Sequence, residues 1–346
     1  MIELVDILSP RPEPWWALLR QCGVTSVVSF LRGAEQEQRM YRALGLGGVT
    51  PETEGEPWSL EALAHDQQVF AEAGFTLAAI EDTAPMDHVR LGLPGRDEEI
   101  EQVITQIRGM GILGIPVLCY NWMALSSWAR TSIDLPTRGG ALVTGFTLQG
   151  ADELGGIVEP GRLHPDQLWL ALEYFLDAVL PEAESAGVRL ALHPDDPPLP
   201  VVRQVPRIMS SLDAYRRLRL INASTSNAVT FCQGNFALMT DDLPTTIREF
   251  GSSIAFIHFR DLRGNANRFV ETFHDDGQTD MAECLRAYRD IGFSGPLRAD
   301  HVPTMAGETN DHPGYGVLGR LFALGYIRGL QHAVYGHPAA AGRSDP

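Results

Sequence analysis

The sequence predicts an α/β fold: a (β/α)8 (TIM) barrel with a long loop insertion, at about residues 121–164, over its C-terminal mouth. Three observations carry the prediction. Eight short apolar runs alternate with amphipathic helical stretches, the signature of a parallel sheet covered by helices. Eight such units in a chain of 346 residues match the size of a closed barrel with insertions. The last four strand-like runs end on His193, Cys232, His258 and Asp300, all residue types that bind metals. Periodicity alone also fits a doubly wound sheet.

In chain order, residues 2–8 (IELVDIL) form the first strand candidate, and Pro12 and Pro14 lead into an amphipathic run at 15–22. Residues 24–30 are β-branched and strand-like, whereas 31–57 are polar and Gly-rich with a helical stretch near 35–44. Ser59 caps a helix that Gly74 closes. A strand at 75–80, a helix at 97–113 and a strand at 115–120 follow. The 121–164 segment breaks the rhythm, and a loop of that length is expected to be a functional lid. The helix 165–186 restores the rhythm before the strand 189–193. Next come a short helix at 211–218, a strand at 228–232, a helix at 243–250 and a strand at 254–259. A helix at 281–291, a strand at 296–300 and a helix at 316–330 complete the series. Residues 1–333 are expected to form one domain and 334–346 a loose tail.

Composition removes whole classes of function. The net charge of −17 disfavours nucleic acid and anionic membrane as partners, since both demand a basic footprint. No apolar run approaches the roughly 18–20 residues of a membrane span. The N-terminus has no basic region followed by a long apolar one, so no secretory signal is expected. Four scattered cysteines without metal-finger spacing point to reduced thiols and a cytoplasmic location. All 27 basic residues are arginine, which excludes a lysine Schiff base, a pyridoxal lysine and a phosphate-loop lysine. Carbon-acid chemistry would have to rely on a metal or on His, Tyr, Arg and carboxylates.

The stretch 189–198 (RLALHPDDPP) organises the candidate site. Pro194, Pro197 and Pro198 end the strand and hold His193 at its tip. In a barrel, chemistry collects at the C-terminal strand ends. Imidazole and thiolate favour zinc, ferrous iron or cobalt, and the carboxylate admits manganese. Singly, Cys232 reads more readily as a buried apolar thiol than as a ligand, whereas His258 reads equally as a core histidine and Asp300 as a cap or ion-pair partner. Their shared level in the fold is what joins them. His301, next to Asp300, is placed for proton transfer, and Tyr315 offers an acid or an orienting hydroxyl. Arg263 could fork a substrate carboxylate or equally neutralise a nearby aspartate. Asp195 and Asp196 are candidates to orient the His193 ring, and His274 and His312 read as solvated loop residues.

From about residue 81 to 330 the chain resembles the D-mannonate dehydratases, metal-dependent TIM-barrel lyases. The resemblance rests on LGLPGRDEEIE (91–101), CYNWM (119–123), WART (128–131) and ALHPDDPP (191–198). It continues with TFCQG (230–234), HFRDLR (258–263), ETFHDDGQTDM (271–281), ADH (299–301) and PGYGVLGR (313–320). It implies that His193, Cys232, His258 and Asp300 hold manganese or ferrous iron, with cobalt or zinc as alternatives. It also implies that His301 and Tyr315 transfer protons and that Asn121, in the CYN motif, contacts substrate. Asp261 stands where the family carries a histidine, and Val302–Pro303 where it carries Gly-His.

The expected activity is dehydration of a sugar acid such as D-mannonate to a 2-keto-3-deoxy acid, by α-proton abstraction and β-hydroxyl loss. The alternatives are a metal-dependent isomerase or epimerase of a related sugar or polyol, and a metal-binding homologue without activity. The expected partner is a small sugar acid, and self-association into a homo-oligomer stays open.

Overall fold

Eight parallel strands close into a barrel in the computed structural model, which describes residues 1–32 and 56–336. The strands are Glu3–Leu8, Ser26–Ser29, Thr76–Ile80, Val117–Asn121, Arg189–His193, Asn227–Cys232, Ile254–Phe259 and Pro296–Ala299. Each neighbours the next in sequence, and Glu3 pairs with Pro296 to shut the ring. All eight coincide with the apolar runs of the sequence, and closure removes the doubly wound alternative. The helical stretch near 35–44 lies outside the described residues.

Alternation along each strand sorts side chains into two layers. Leu190 and Leu192 pack outward against the helices, while Ala191 joins a separate interior cluster with Val5, Cys119, Ala228 and Phe256. Stepping by two from these interior residues brings Asn121, His193, Cys232 and His258 to the inner rim of the mouth. The register supports this level, with Asn121 opposite His193 and Cys232 opposite His258.

Helix starts are set by short polar caps. Ser59, Ser211, Asp242 and Asp280 each accept a backbone N–H of their own first turn. The last helix, Val317–Tyr335, runs five residues beyond the sequence reading and takes in the start of the expected tail; 337–346 lie outside the described residues. No helix among the described residues is long and apolar enough to cross a membrane.

The 121–164 segment is not a plain loop. It contributes strands Ser132–Pro136 and Leu142–Thr147 and a short helix, Leu148–Glu153. A hairpin after the seventh barrel strand, Leu262–Asn265 with Arg268–Glu271, completes a four-stranded antiparallel sheet with them. Sequence reading missed this hairpin because its partner strand is more than a hundred residues away. The expected lid is therefore stitched by a backbone ladder to a different loop of the barrel.

Candidate metal centre and active site

A cavity opens at the C-terminal mouth, where a barrel collects its chemistry. Its walls include His193, His258, Asp300, His301, Tyr315 and Asn121, together with Glu81, Arg298, Trp128 and Phe30. His193, Cys232 and His258 each direct a ligand atom so that all three atoms lie within 4.8 Å of one another. Bonds of about 2.0–2.3 Å to a shared ion put ligand atoms roughly 3–4.5 Å apart, so the trio is near coordinating distance. Asp300 adjoins it, with Oδ2 3.7 Å from Cys232 Sγ and 3.9 Å from His258 Nδ1.

Three features of the donor set fit a divalent cation. His193 Nδ1 donates to the Pro194 carbonyl at 2.7 Å, which leaves Nε2 bare as a ligand. Burial pushes the His193 imidazole below its ordinary pKa, toward the neutral, ligating form. His258 Nε2 is buried, and the polar atom it faces is the carboxylate oxygen Glu81 Oε2 at 3.3 Å. Charge agrees. The buried guanidinium groups of Arg130, Arg260 and Arg298 face four carboxylates, of Glu81, Asp196, Glu271 and Asp300. A Cys232 thiolate would raise the excess to two negative charges, the amount a divalent ion cancels.

Glu81, Cys119 and His258 form a second trio within 4.8 Å. It is the poorer site. Burial holds the Cys119 thiol well above its usual pKa, and both oxygens of Glu81 are already gripped by Arg298 at 2.9 Å.

Around the trio runs a continuous buried ion network. Arg298 bridges Glu81 and, at 2.8 Å, Asp300. Arg260 reaches Asp300 Oδ2 at 2.8 Å, Asp196 Oδ2 at 2.9 Å and both oxygens of Glu271 at 2.9 Å. Arg130, from the insertion, binds Asp196 at 2.7 and 3.1 Å and Glu271 at 2.6 Å. Burial works to raise the Glu81 and Glu271 carboxyls, but the guanidinium charges outweigh it and hold each at about 2. Asp300 is likewise driven well below its ordinary value, burial being overcome by Arg298, His301, His258 and Arg260.

His301 and Tyr315 meet at this network, ring to ring, with centroids 5.4 Å apart. His301 Nδ1 is 3.0 Å from Glu271 Oε1, and Trp128 packs against the ring at a 42° tilt, with centroids 4.9 Å apart. Burial raises the Tyr315 phenol, which therefore stays protonated. Asn121 lines the cavity and uses Oδ1 to accept the Met123 N–H.

Arg263 does not join them. It lies on the antiparallel hairpin, 58% exposed, paired with Asp276 at 2.5 Å. Arg263→Ala should leave kcat/KM within about twofold of the parent, since exposed pairs contribute little; a tenfold loss in steady-state assays would return it to the site. Asp195 and Asp196 do not orient His193: Asp196 belongs to the arginine network, and Asp195 binds Met209 N at 2.7 Å and Arg207 at 3.5 Å. His274 is buried, not solvated, with Nε2 donating to the Phe259 carbonyl at 2.7 Å. Asp261 pins the following loop through Leu262 N and Thr279 N, and Gly277 is so close that any Cβ there would stand 2.0 Å from its carboxyl carbon.

Sequence reading passed over Glu81, Arg130, Arg260, Glu271 and Arg298. One usable signal was available: Arg298 and Arg260 each stand two residues from a proposed ligand, on the same strand face or its continuation.

Fold and site together define a class, a (β/α)8 barrel enzyme with a candidate cation site and a histidine–tyrosine pair at its mouth. Comparison with known proteins narrows it. The family model for D-mannonate dehydratase (UxuA) matches residues 17–156 and 161–340. The mannonate dehydratase of Oceanobacillus iheyensis is 33% identical over 306 residues, 81% of this chain and 87% of that protein. The crystal structure of mannonate dehydratase from Streptococcus suis serotype 2 superposes with a TM-score of 0.85 at 28% identity, covering 100% of this chain and 99% of that one. The chain belongs to the D-mannonate dehydratase family. An L-ribulose 3-epimerase, at TM-score 0.57 and 15% identity over 100% of both chains, shares the fold.

Proposed function

We propose that this protein is a hydro-lyase that removes water from a six-carbon sugar acid of the D-mannonate type, giving a 2-keto-3-deoxy acid. The observation that carries the reading is that His193 and His258 line one cavity with His301 and Tyr315 while grouping their ligand atoms within 4.8 Å of the buried Cys232 sulfur. His193, Cys232, His258 and Asp300 would hold manganese or ferrous iron, a choice suited to a mixed imidazole, thiolate and carboxylate set. When bound, that ion supplies Lewis acidity toward the substrate's oxygens.

The protein's own groups do the rest. The proton next to a carboxylate is a very weak acid, and the β-hydroxyl is a poor leaving group. His301 takes the α-proton, and the protonated Tyr315 gives its proton to the β-oxygen as the C–O bond breaks, so that the group leaves as water and the electron pair of the C–H bond forms the new C=C bond. Trp128 and Phe30 wall the cavity and exclude water from the reacting carbons. Asn121 keeps its amide hydrogens for a substrate hydroxyl. A thiol needed as a thiolate also suits the reducing cytosol.

The test is a panel of aldonic acids offered to the manganese-loaded and iron-loaded protein. A 2-keto-3-deoxy product from D-mannonate or a near relative is expected; a stereoisomer formed without loss of water would overturn the reading. His301→Asn should lower kcat on the order of 10²–10⁴-fold in the same assay.

A further inference from the structure

His301 Nδ1 faces two groups of opposite kind. Glu271 Oε1, an acceptor, is 3.0 Å away, and Arg130 Nη2, a donor, is 3.1 Å away. A count of hydrogens decides between them. Arg130 Nη2 carries two hydrogens. One points to Asp196 Oδ2 at 3.1 Å and the other to Glu271 Oε1 at 2.6 Å. Its Nη1 is equally committed, to the Ala129 carbonyl at 2.9 Å and Asp196 Oδ1 at 2.7 Å. Arg130 therefore has no Nη hydrogen left for the imidazole. Glu271 Oε1 already accepts from Arg130 Nη2 and Arg260 Nη1, but a carboxylate oxygen can only accept, so a bare Nδ1 lone pair would face it repulsively at 3.0 Å; Nδ1 donating to Glu271 is the arrangement that removes this clash.

We propose that Glu271 is the positioning residue for His301: it fixes the Nδ1–H tautomer, so that Nε2 is the atom that takes up the substrate's proton. Nε2 is left free for that task, its nearest recorded polar neighbour being Asp300 Oδ1 at 3.8 Å, beyond hydrogen-bond reach. Proton uptake breaks the substrate C–H bond, forms Nε2–H and leaves the electron pair on the substrate. The resulting imidazolium then sits with its Nδ1–H on the Glu271 carboxylate. Glu271 cannot swing away to spoil this, because Arg260 holds both its oxygens at 2.9 Å and Arg130 holds one of them. The ring is packed by the tilted Trp128 at 4.9 Å and the edge-on Tyr315 at 5.4 Å. Glu271 belongs to the hairpin that sequence reading missed, so the arm sheet supplies the group that aims the proton-transfer histidine.

The inference rests on the dehydratase reading for its catalytic sense, and its test separates the two. Nitrogen NMR of ¹⁵N-histidine-labelled protein, loaded with diamagnetic zinc, reports which ring nitrogen of His301 is protonated, with His301→Asn locating its signals. The expected spectrum has Nδ1 protonated and Nε2 bare. Glu271→Gln should shift that tautomer and lower kcat on D-mannonate on the order of 10–100-fold, with KM within about threefold and manganese per chain unchanged. An Nε2–H tautomer in the parent protein overturns the proposal, as does a Glu271→Gln enzyme with parental kcat and spectrum. If Glu271→Gln does not fold, the parental spectrum decides alone. Absence of turnover by the parent on any aldonic acid would count against the dehydratase reading, while the tautomer would still stand or fall by the spectrum.

Discussion

Cys232→Ala is expected to strip the protein of bound metal and of turnover together. Cys232 is fully buried, its sulfur accepts from Asn235 Nδ2 at 3.3 Å, and alanine offers no donor atom to a cation in its place. Lewis-acid stabilisation is worth several kcal/mol, so kcat should fall on the order of 10³-fold or more. Elemental analysis of the purified variant should find well under one ion per chain. A variant that keeps a full complement of metal and turns over normally would sink the ligand assignment. The same logic predicts that chelation destabilises the parent. An ion at a hundredfold excess over its Kd stabilises the folded state by about 2.7 kcal/mol, so the Tm should drop on chelation and recover with added manganese.

The second large effect is structural. Arg260→Met would leave Glu271, Asp196 and Asp300 crowded in a buried region with their shared cation gone. Breaking a buried ion pair from one side costs about 3–5 kcal/mol. Calorimetry should therefore show a Tm lower by on the order of 5–15 °C. A shift below about 2 °C would mean that the network is idle. The network also sets the acid limb of stability. Glu81 and Glu271 have folded values of about 2 against an ordinary 4.5. Their contribution is complete above 4.5 and is lost as pH falls through about 2. Asp195 works the other way: burial raises it from 3.8 to about 6, so what it contributes is complete below 3.8 and lost as pH rises through about 6.

The barrel was legible because its strands are short apolar runs whose partners are their neighbours in sequence. The candidate ligands were legible for the same reason: once the strand ends are known, residues at those ends share one level. The arginine network was not legible. Arg130, Arg260 and Arg298 look like ordinary polar residues until Asp196, Glu271 and Glu81 are brought beside them from positions 66, 11 and 217 residues away. Charge burial is a property of the assembled set, and no local period announces it. Arg263 shows the opposite error. A guanidinium near a proposed ligand invited a role, but the chain turns into a hairpin at Leu262 and carries it to the surface.

The arm sheet has a consequence for anyone who would re-engineer this barrel. Its strands come from two different inter-strand connections, and Phe146 pairs with Phe269 across the seam between them. Arg130 and Glu271, one from each connection, meet at His301. The two connections therefore make up a single exchangeable cassette. Grafting either one from a relative into this scaffold would leave half a ladder and an unmatched charge, whereas moving both together transplants the roof of the cavity as a working part.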